Sequence, residues 1–175
     1  MAFDRTANLL GALVLAVGDR MDEATAGAAG HSDSAPAALS ALLHILKDPS
    51  IDLLRRVLGL TSSGTVRLVD RLEADGYVRR VAGRDGRQTA IVLTPAGRQA
   101  ARKVARSRAD VLEEALAPLR RSEREALDAA VSKILVSLMR EPGAVRWTCR
   151  LCDTQTCGRY VGACPVGNAA RERYG

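Results

Sequence analysis

Aromatic side chains make up only 3% of this 175-residue chain, with one Phe, one Trp and three Tyr. So small a supply argues against a β-sandwich core, and the abundance of Ala, Leu, Val and Arg favours helices packed through aliphatic faces. Long apolar runs are also missing. The run LLGALVLAVG (9–18) is too short to span a bilayer and follows no basic leader segment, so no membrane partner and a cytoplasmic location are expected. No Ser/His/Asp set, phosphate loop or paired carboxylates stand in a catalytic arrangement, so no enzyme is expected. Histidine is limited to His31 and His44, each more readily a surface or core residue than a ligand. Cysteine is absent until position 149, and its four copies then crowd into 16 residues. In a cytoplasmic chain such thiols are metal ligands, a redox switch or packed side chains rather than a permanent disulfide framework.

What the chain does contain is apolar material and positive charge. Hydrophobic residues reach 47%, enough for a core, and the net charge is +6 with a pI near 9.6, a balance that suits a polyanionic partner. Between positions 79 and 108 the basic residues Arg79, Arg80, Arg84, Arg87, Arg98, Arg102, Lys103, Arg106 and Arg108 face a single acid, Asp85. That run is either a solvated helix face or an electrostatic footprint for nucleic acid.

Periodicity organises the chain into helices. Leu9, Leu10, Leu13, Val14, Val17 and Met21 predict a first helix over 4–21, and the small residues of AGAAGHSDSAP (26–36) predict a loop after it. Pro36 suits the first turn of a second helix that runs to Asp48 and Pro49. Ser50 is placed to cap a third helix over 51–58, with Gly59 as its C-terminal stop, and Thr61 to cap a fourth that ends at Asp75 and Gly76. Helix, short glycine turn, helix is the helix-turn-helix pattern. YVRRV (77–81) and QTAIVLT (88–94) follow as two strands, joined by a turn carrying Asp85-Gly86, which makes a β-wing. A charged helix over 95–117 stops near Pro118. A last helix starts at Ser122, in a capping box with Glu125, and presents Leu127, Val131, Ile134, Leu135, Leu138 and Met139. The expected fold is mainly α with a small β-wing, a winged helix-turn-helix flanked by N- and C-terminal helices. Its parts are 1–34 (N-terminal helix and linker), 35–98 (winged helix-turn-helix DNA-binding domain), 99–145 (C-terminal helices) and 146–175 (four-cysteine tail).

A recognition helix needs small, hydrogen-bonding side chains in its first turn, because that end enters the major groove and its free amides favour phosphate. Ser62, Ser63, Gly64, Thr65 and Arg67 supply them, with Arg67 suited to a two-point contact with guanine and Arg71, one turn on, to backbone phosphate. For Ser62 and Ser63 the competing role is capping, and for Thr65 it is helix packing. Arg84 and Arg87 at the wing tip are candidates for the minor groove.

Together, Leu68-Val69-Asp70-Arg71-Leu72-Glu73, Gly76-Tyr77-Val78-Arg79-Arg80, Asp85-Gly86-Arg87 and Leu93-Thr94-Pro95-Ala96-Gly97 resemble the central pattern of the MarR family of winged-helix regulators. The resemblance covers about residues 5–140. It implies a transcriptional regulator, read as a repressor, that acts on a pseudo-palindromic operator in double-stranded DNA as a homodimer, with the N- and C-terminal helices (1–34 and 99–145) as its dimerisation helices. It also implies a wing arginine at Arg87 braced by Asp85, with Gly86 standing where the commonest wing has Arg, and a small-molecule effector between the two lobes. A winged-helix interaction module without DNA binding is the rival class.

The tail lies beyond the resemblance. Cys149, Cys152, Cys157 and Cys164 give C-x2-C-x4-C-x6-C in a segment with little apolar content of its own. Four thiolates at this spacing suit an iron–sulfur cluster or a structural Zn, and thiols acting as a disulfide switch are the third reading. Pro165 after the last cysteine is similar to ferredoxin runs, and the whole is loosely similar to the cysteine segment of the SoxR regulators. Arg146, Arg150 and Arg159 are the expected charge partners, and the tail is expected beside the dimer lobe.

Overall fold

A computed structural model of the chain describes residues 4–30, 34–83, 88–139, 141 and 143–174. Eight α-helices, a two-stranded sheet and one 3-10 turn are present among them: α1 (Arg5–Ala29), α2 (Ala35–His44), α3 (Ile51–Leu58), α4 (Ser62–Ala74), β1 (Val78–Ala82), β2 (Thr89–Leu93), α5 (Pro95–Leu116), α6 (Arg121–Ser137), α7 (Ala144–Thr148), the 3-10 turn (Arg159–Val161) and α8 (Pro165–Tyr174). The mainly helical winged fold expected from the sequence is the one observed.

Local chemistry places the centre of the chain as expected. The Ser50 side chain accepts from the Leu53 N–H at 3.2 Å and starts α3. Gly59 ends α3 at φ 65°, and the Thr61 hydroxyl accepts from the Gly64 N–H at 3.1 Å to start α4. The strands pair antiparallel with Val78 opposite Leu93 and Arg80 opposite Ile91. The Ile91 N–H also donates to the Pro49 carbonyl at 2.9 Å, tying the wing to the segment before α3. Leu39, Leu54, Val69, Leu72, Val78, Ile91 and Val104, all at most 2% exposed, form the core shared by α2, α3, α4, the sheet and α5. Each such side chain contributes about 1.5–3 kcal/mol by leaving water.

The Leu-Thr-x-x-Gly pattern has a direct physical reason. The Thr94 hydroxyl donates to the Gly76 carbonyl at 2.6 Å, and its oxygen accepts from the Gly97 N–H at 3.0 Å, so one side chain closes the wing and starts α5. A Cβ on Gly97 would lie 1.8 Å from the Tyr77 carbonyl oxygen, so only glycine lets α5 approach the strand this closely.

Three expectations need correction. The first helix continues through the supposed loop to Ala29, where Gly30 takes over at φ 73°. Its last turn is alanine-rich, a good helix former, and Ala28 and Ala29 are buried. The second helix stops at His44 rather than at Asp48, which turns to φ 49°. The last long helix begins at Arg121, and the carboxylate of Glu123 accepts from the Arg120 N–H at 2.8 Å, while Glu125 pairs with Arg121 at 2.9 Å instead of closing a box with Ser122.

Along α1 and α6 the apolar stripes lie uncovered in the single chain. Leu9, Leu13, Val14 and Leu15 on α1 are 50–68% exposed, and Val131 and Ile134 on α6 and Leu138 at its C-terminal cap are 39–60% exposed. α1 packs along α5, whereas α6 leans chiefly on α8. No helix among the described residues is long and apolar enough to cross a membrane.

Candidate nucleic-acid interface and cysteine site

Because Thr61 caps α4, the serines that follow are relieved of that duty. Ser62, Ser63 and Arg67 are exposed on the first two turns, and Arg67 Nε lies 3.4 Å from the Ser63 carbonyl, which folds its guanidinium toward the helix start. Arg71 is exposed on the turn after it, and Gly64 is half-buried beneath. Thr65 departs from the expected role. It is fully buried, and its hydroxyl donates to the Thr61 carbonyl at 2.9 Å, so it packs the helix against the core and offers nothing to a groove. Arg84, Asp85 and Arg87 lie outside the described residues.

Sequence reasoning missed the brace behind this surface. Arg80 on β1 reaches back to α4, donating to Asp70 at 2.5 Å and to Glu73, whose carboxylate also accepts the Arg80 N–H at 2.9 Å. Burial works against the Arg80 charge, but the hydrogen bonds from Asp70 and Glu73 outweigh it and hold its pKa above the ordinary arginine value. The acids of the LVDRLE stretch therefore fix the wing to the recognition helix, leaving Arg67 and Arg71 on the outer face.

The four cysteines are brought together. Cys149 and Cys164 are buried, Cys152 and Cys157 half-buried, and all four are free thiols. Cys149 is hydrogen-bonded with Cys152 and Cys157 with Cys164, charge interactions also link Cys149 to Cys164 and Cys157 to Cys152, and no group of three or more ligands placed to hold a metal is found among the described residues. Backbone geometry supports the sulfurs. The Gly167 N–H at the start of α8 donates to Cys164 Sγ at 3.3 Å, and Asp153 Oδ1 accepts from the Gln155 N–H at 2.8 Å to shape the loop before Cys157. The hydrogen bond from Cys149, aided by Arg108 and Arg159 against the effect of burial, draws the Cys152 pKa down to about 6. The same bond and burial push Cys149 upward.

The charge partners differ from those expected. Arg159 is one of them, but Arg108 of α5 takes the place given to Arg146 and Arg150. Arg108 Nε and Arg159 Nη1 are both buried and have no hydrogen-bond partner among the described residues. A signal for Arg108 was available, since it continues the buried α5 positions Gly97, Ala101 and Val104 at helical spacing. Arg150 instead lies over the Trp147 ring at 4.1 Å, and burial lowers its pKa while Asp22 of α1 opposes that shift.

The tail does not lie only beside the dimer lobe. α8 packs on α6, where Arg173 donates to the Val136 carbonyl at 3.3 Å, but α7 packs on α3, and the Thr154 hydroxyl donates to the His44 carbonyl at the end of α2 at 3.2 Å. His44 itself approaches Asp153, its Nδ1 lying 3.9 Å from Oδ1. His31 lies outside the described residues.

The MarR family model matches residues 32–88 of this sequence. Over that segment the chain resembles the MarR family. The MarR match takes in α2, α3, α4 and β1, and it ends well before the first cysteine. A MarR-family transcriptional regulator from Silicibacter pomeroyi is 27% identical, with 74% of this chain and 89% of that one covered at a TM-score of 0.57. A probable transcriptional regulator from Pseudomonas aeruginosa is 26% identical, with 74% and 99% covered at a TM-score of 0.54. A variant of the Staphylococcus aureus regulator MepR, bound to an oligodeoxyribonucleotide, shares the fold at 17% identity and a TM-score of 0.57, with 78% and 100% covered. No curated protein matches the chain. The architecture is that of a MarR-type transcriptional regulator with a DNA-binding fold.

Proposed function

We propose that the protein is a homodimeric repressor that binds a pseudo-palindromic operator in double-stranded DNA, under the control of an iron–sulfur cluster or zinc ion held by Cys149, Cys152, Cys157 and Cys164. The observation that carries the DNA reading is the division of labour at the start of α4. Thr61 does the capping, which leaves Ser62, Ser63 and Arg67 exposed at the end of the helix that enters a major groove, with Arg71 behind them for phosphate. Arg84 and Arg87 of the wing are proposed for the minor groove, with Asp85 as the brace of Arg87. The uncovered apolar stripes of α1 and α6 favour a second copy of the chain as their cover, which supplies the paired recognition helices that two half-sites require.

For the cofactor, the buried and unpartnered guanidinium atoms of Arg108 and Arg159 carry the reading. Four thiolates around one divalent metal, or around an oxidised four-iron cluster, bear a net negative charge, and these two cations beside Cys152 fit it. A bound zinc would supply a fixed tetrahedral clip, and a cluster would add one-electron redox chemistry. The residues themselves then hold the tail closed and shield the sulfurs from water.

A small molecule is the second reading. A cavity of about 290 Å³ lies between the lobes, lined by Asp22, Thr25, Pro36 and Leu58 and closed on one side by Arg150 and Leu151 of the tail. The deciding experiment is the ultraviolet–visible spectrum and metal content of protein purified without oxygen. Iron, sulfide and a broad band that bleaches on reduction or in air support the cluster, and one colourless zinc per chain supports the clip. Absence of both metals from a fully reduced preparation, with no uptake on reconstitution, refutes the cofactor and turns attention to the cavity.

A further inference from the structure

The cysteine segment carries an arginine to the turn between α3 and α4. Gly59 sits in the left-handed region at φ 65°, and a Cβ there would fall 2.3 Å from Cζ3 and 2.6 Å from Cη2 of Trp147, so the indole edge rests on bare backbone. Arg150 lies over the same ring at 4.1 Å and donates to the Trp147 carbonyl at 2.8 Å. Farther along, the Thr154 and Tyr160 hydroxyls donate to the His44 carbonyl at 3.2 and 3.5 Å. The segment is thus anchored at the ends of both α2 and α3. The backbone of Arg146, next in the chain to the seated tryptophan, is held at this turn.

Arg146 is exposed and, with Arg55, Arg56, Gly59, Leu60 and Glu141, lines a cavity of about 700 Å³. Three guanidinium groups meet one carboxylate there. Outside the lining, the carboxylate of Asp52 holds Arg55 and Arg56 at 2.9 Å each, so those two are already paired. Arg146 shares the cavity with Glu141 but makes no ion pair or side-chain hydrogen bond among the described residues. The sulfurs do not use it either, since the cations beside Cys152 are Arg108 and Arg159. Position supplies a partner for this charge. Leu60 precedes Thr61, the cap of α4, and Ser62 follows at the helix end suited to a major groove. From Gly59 to Ser62 the chain spans at most about 10 Å. A major groove is about 12 Å wide with a phosphate strand along each edge, so a cation beside the helix end, and not on it, meets phosphate before it meets a base.

We propose that Arg146 is a DNA-binding residue supplied by the tail: its guanidinium, set beside the turn between α3 and α4, holds a backbone phosphate at the edge of the groove that α4 enters. The contact lies outside the winged unit in sequence and adjoins it in space. It adds affinity and fixes the placement of α4 on the duplex, and it carries no sequence preference of its own. This rests on the DNA-binding reading above and makes no use of a metal.

The test uses the full chain as purified and a duplex that the wild type selects from a random library. Affinity is measured across a salt series for the wild type and for Arg146→Gln, Arg146→Lys and Arg146→Glu. Losing one phosphate contact makes the slope of log affinity against log salt shallower by about 0.9, so for each bound protomer Arg146→Gln should lose roughly threefold less affinity than the wild type between about 50 and 200 mM salt. Arg146→Lys should keep the wild-type slope, and Arg146→Glu should bind more weakly than Arg146→Gln. Base preference, read by repeating the library selection, should be the same in all four proteins. Urea midpoints should not move, because the side chain is exposed and unpaired among the described residues. If no duplex is selected, the DNA reading fails and the proposal with it. If a duplex is selected and Arg146→Gln keeps the wild-type slope, the proposal alone is overturned. A changed base preference overturns the assignment to phosphate. Slopes and midpoints lowered alike in Arg146→Gln and Arg146→Lys overturn it too, since a packing role and not a charge would then be at work.

Discussion

The winged unit is held by what it buries, and the cysteine segment by what it touches. Behind α3, α4 and the wing stand large aliphatic side chains from five elements, whereas the cluster around Cys149 and Cys164 offers only Met139, Val145, Val166 and Ala169 as buried apolar partners. The segment makes up the difference with directional contacts: two hydroxyls on one carbonyl, an indole on a glycine and an amide on a sulfur. Aliphatic burial is indifferent to metal and redox state. A segment held by a metal or cluster on four thiols, as proposed, is not, and on that reading the two regions should respond to different perturbations.

The largest expected effect lies in the first region. Leu72→Ala removes a fully buried side chain at the centre of the core and should cost about 2–5 kcal/mol. In urea unfolding the loss should be the same with and without chelator. A loss that grows when the metal is stripped would show that the two regions are one cooperative unit and break the comparison.

Next comes Arg67→Ala, which should weaken binding to the selected duplex by about 1–3 kcal/mol and relax preference at one position of each half-site, with thermal stability unchanged. Repeating library selection with the variant reads both effects. Unchanged affinity and preference would remove Arg67 from the interface and strengthen the rival view of the winged unit as an interaction module.

Much of the first region was legible in the sequence because its signals are local. Ser50, Gly59 and Thr61 fall where capping chemistry demands, and the short β-branched runs at 77–81 and 88–94 gave the two strands, whereas the Asp85-Gly86 turn lies outside the described residues. α1 was cut short because Ala24, Ala26, Ala28 and Ala29 give no apolar period to follow, although they are good helix formers. The seat of the tail was not legible. Thr154 and His44 are separated by 110 positions, and nothing in the spacing of the cysteines says that Trp147 meets a glycine or that Arg108, on another helix, completes the charge around them.

Arg108 gives the sharpest test of the second region. Arg108→Met keeps most of the volume and removes the charge, and it should weaken metal or cluster retention about tenfold, in the range found for groups that support metal ligands from outside. Competition with a chromophoric chelator measures it. The winged unit should keep its urea midpoint in the stripped state. If metal affinity is unchanged, the unpaired guanidinium atom is a packing feature of α5 and the charge argument for the site rests on Arg159 alone.

The smallest effect probes the brace between wing and recognition helix. Glu73 takes two hydrogen bonds from Arg80, one from its backbone and one from its guanidinium, but its side chain is 38% exposed, and water and salt screen the pair. Glu73→Gln keeps an acceptor for the backbone N–H and loses the charge, so the expected cost is about 1 kcal/mol or less. The consequence for DNA should exceed the consequence for stability. With the charge gone, Arg80 holds only to Asp70, and the wing is freer to move against α4, so the salt dependence of duplex binding should become shallower as wing contacts to phosphate are lost. An unchanged salt slope beside a reduced urea midpoint would mean that the pair stabilises the sheet without aiming it.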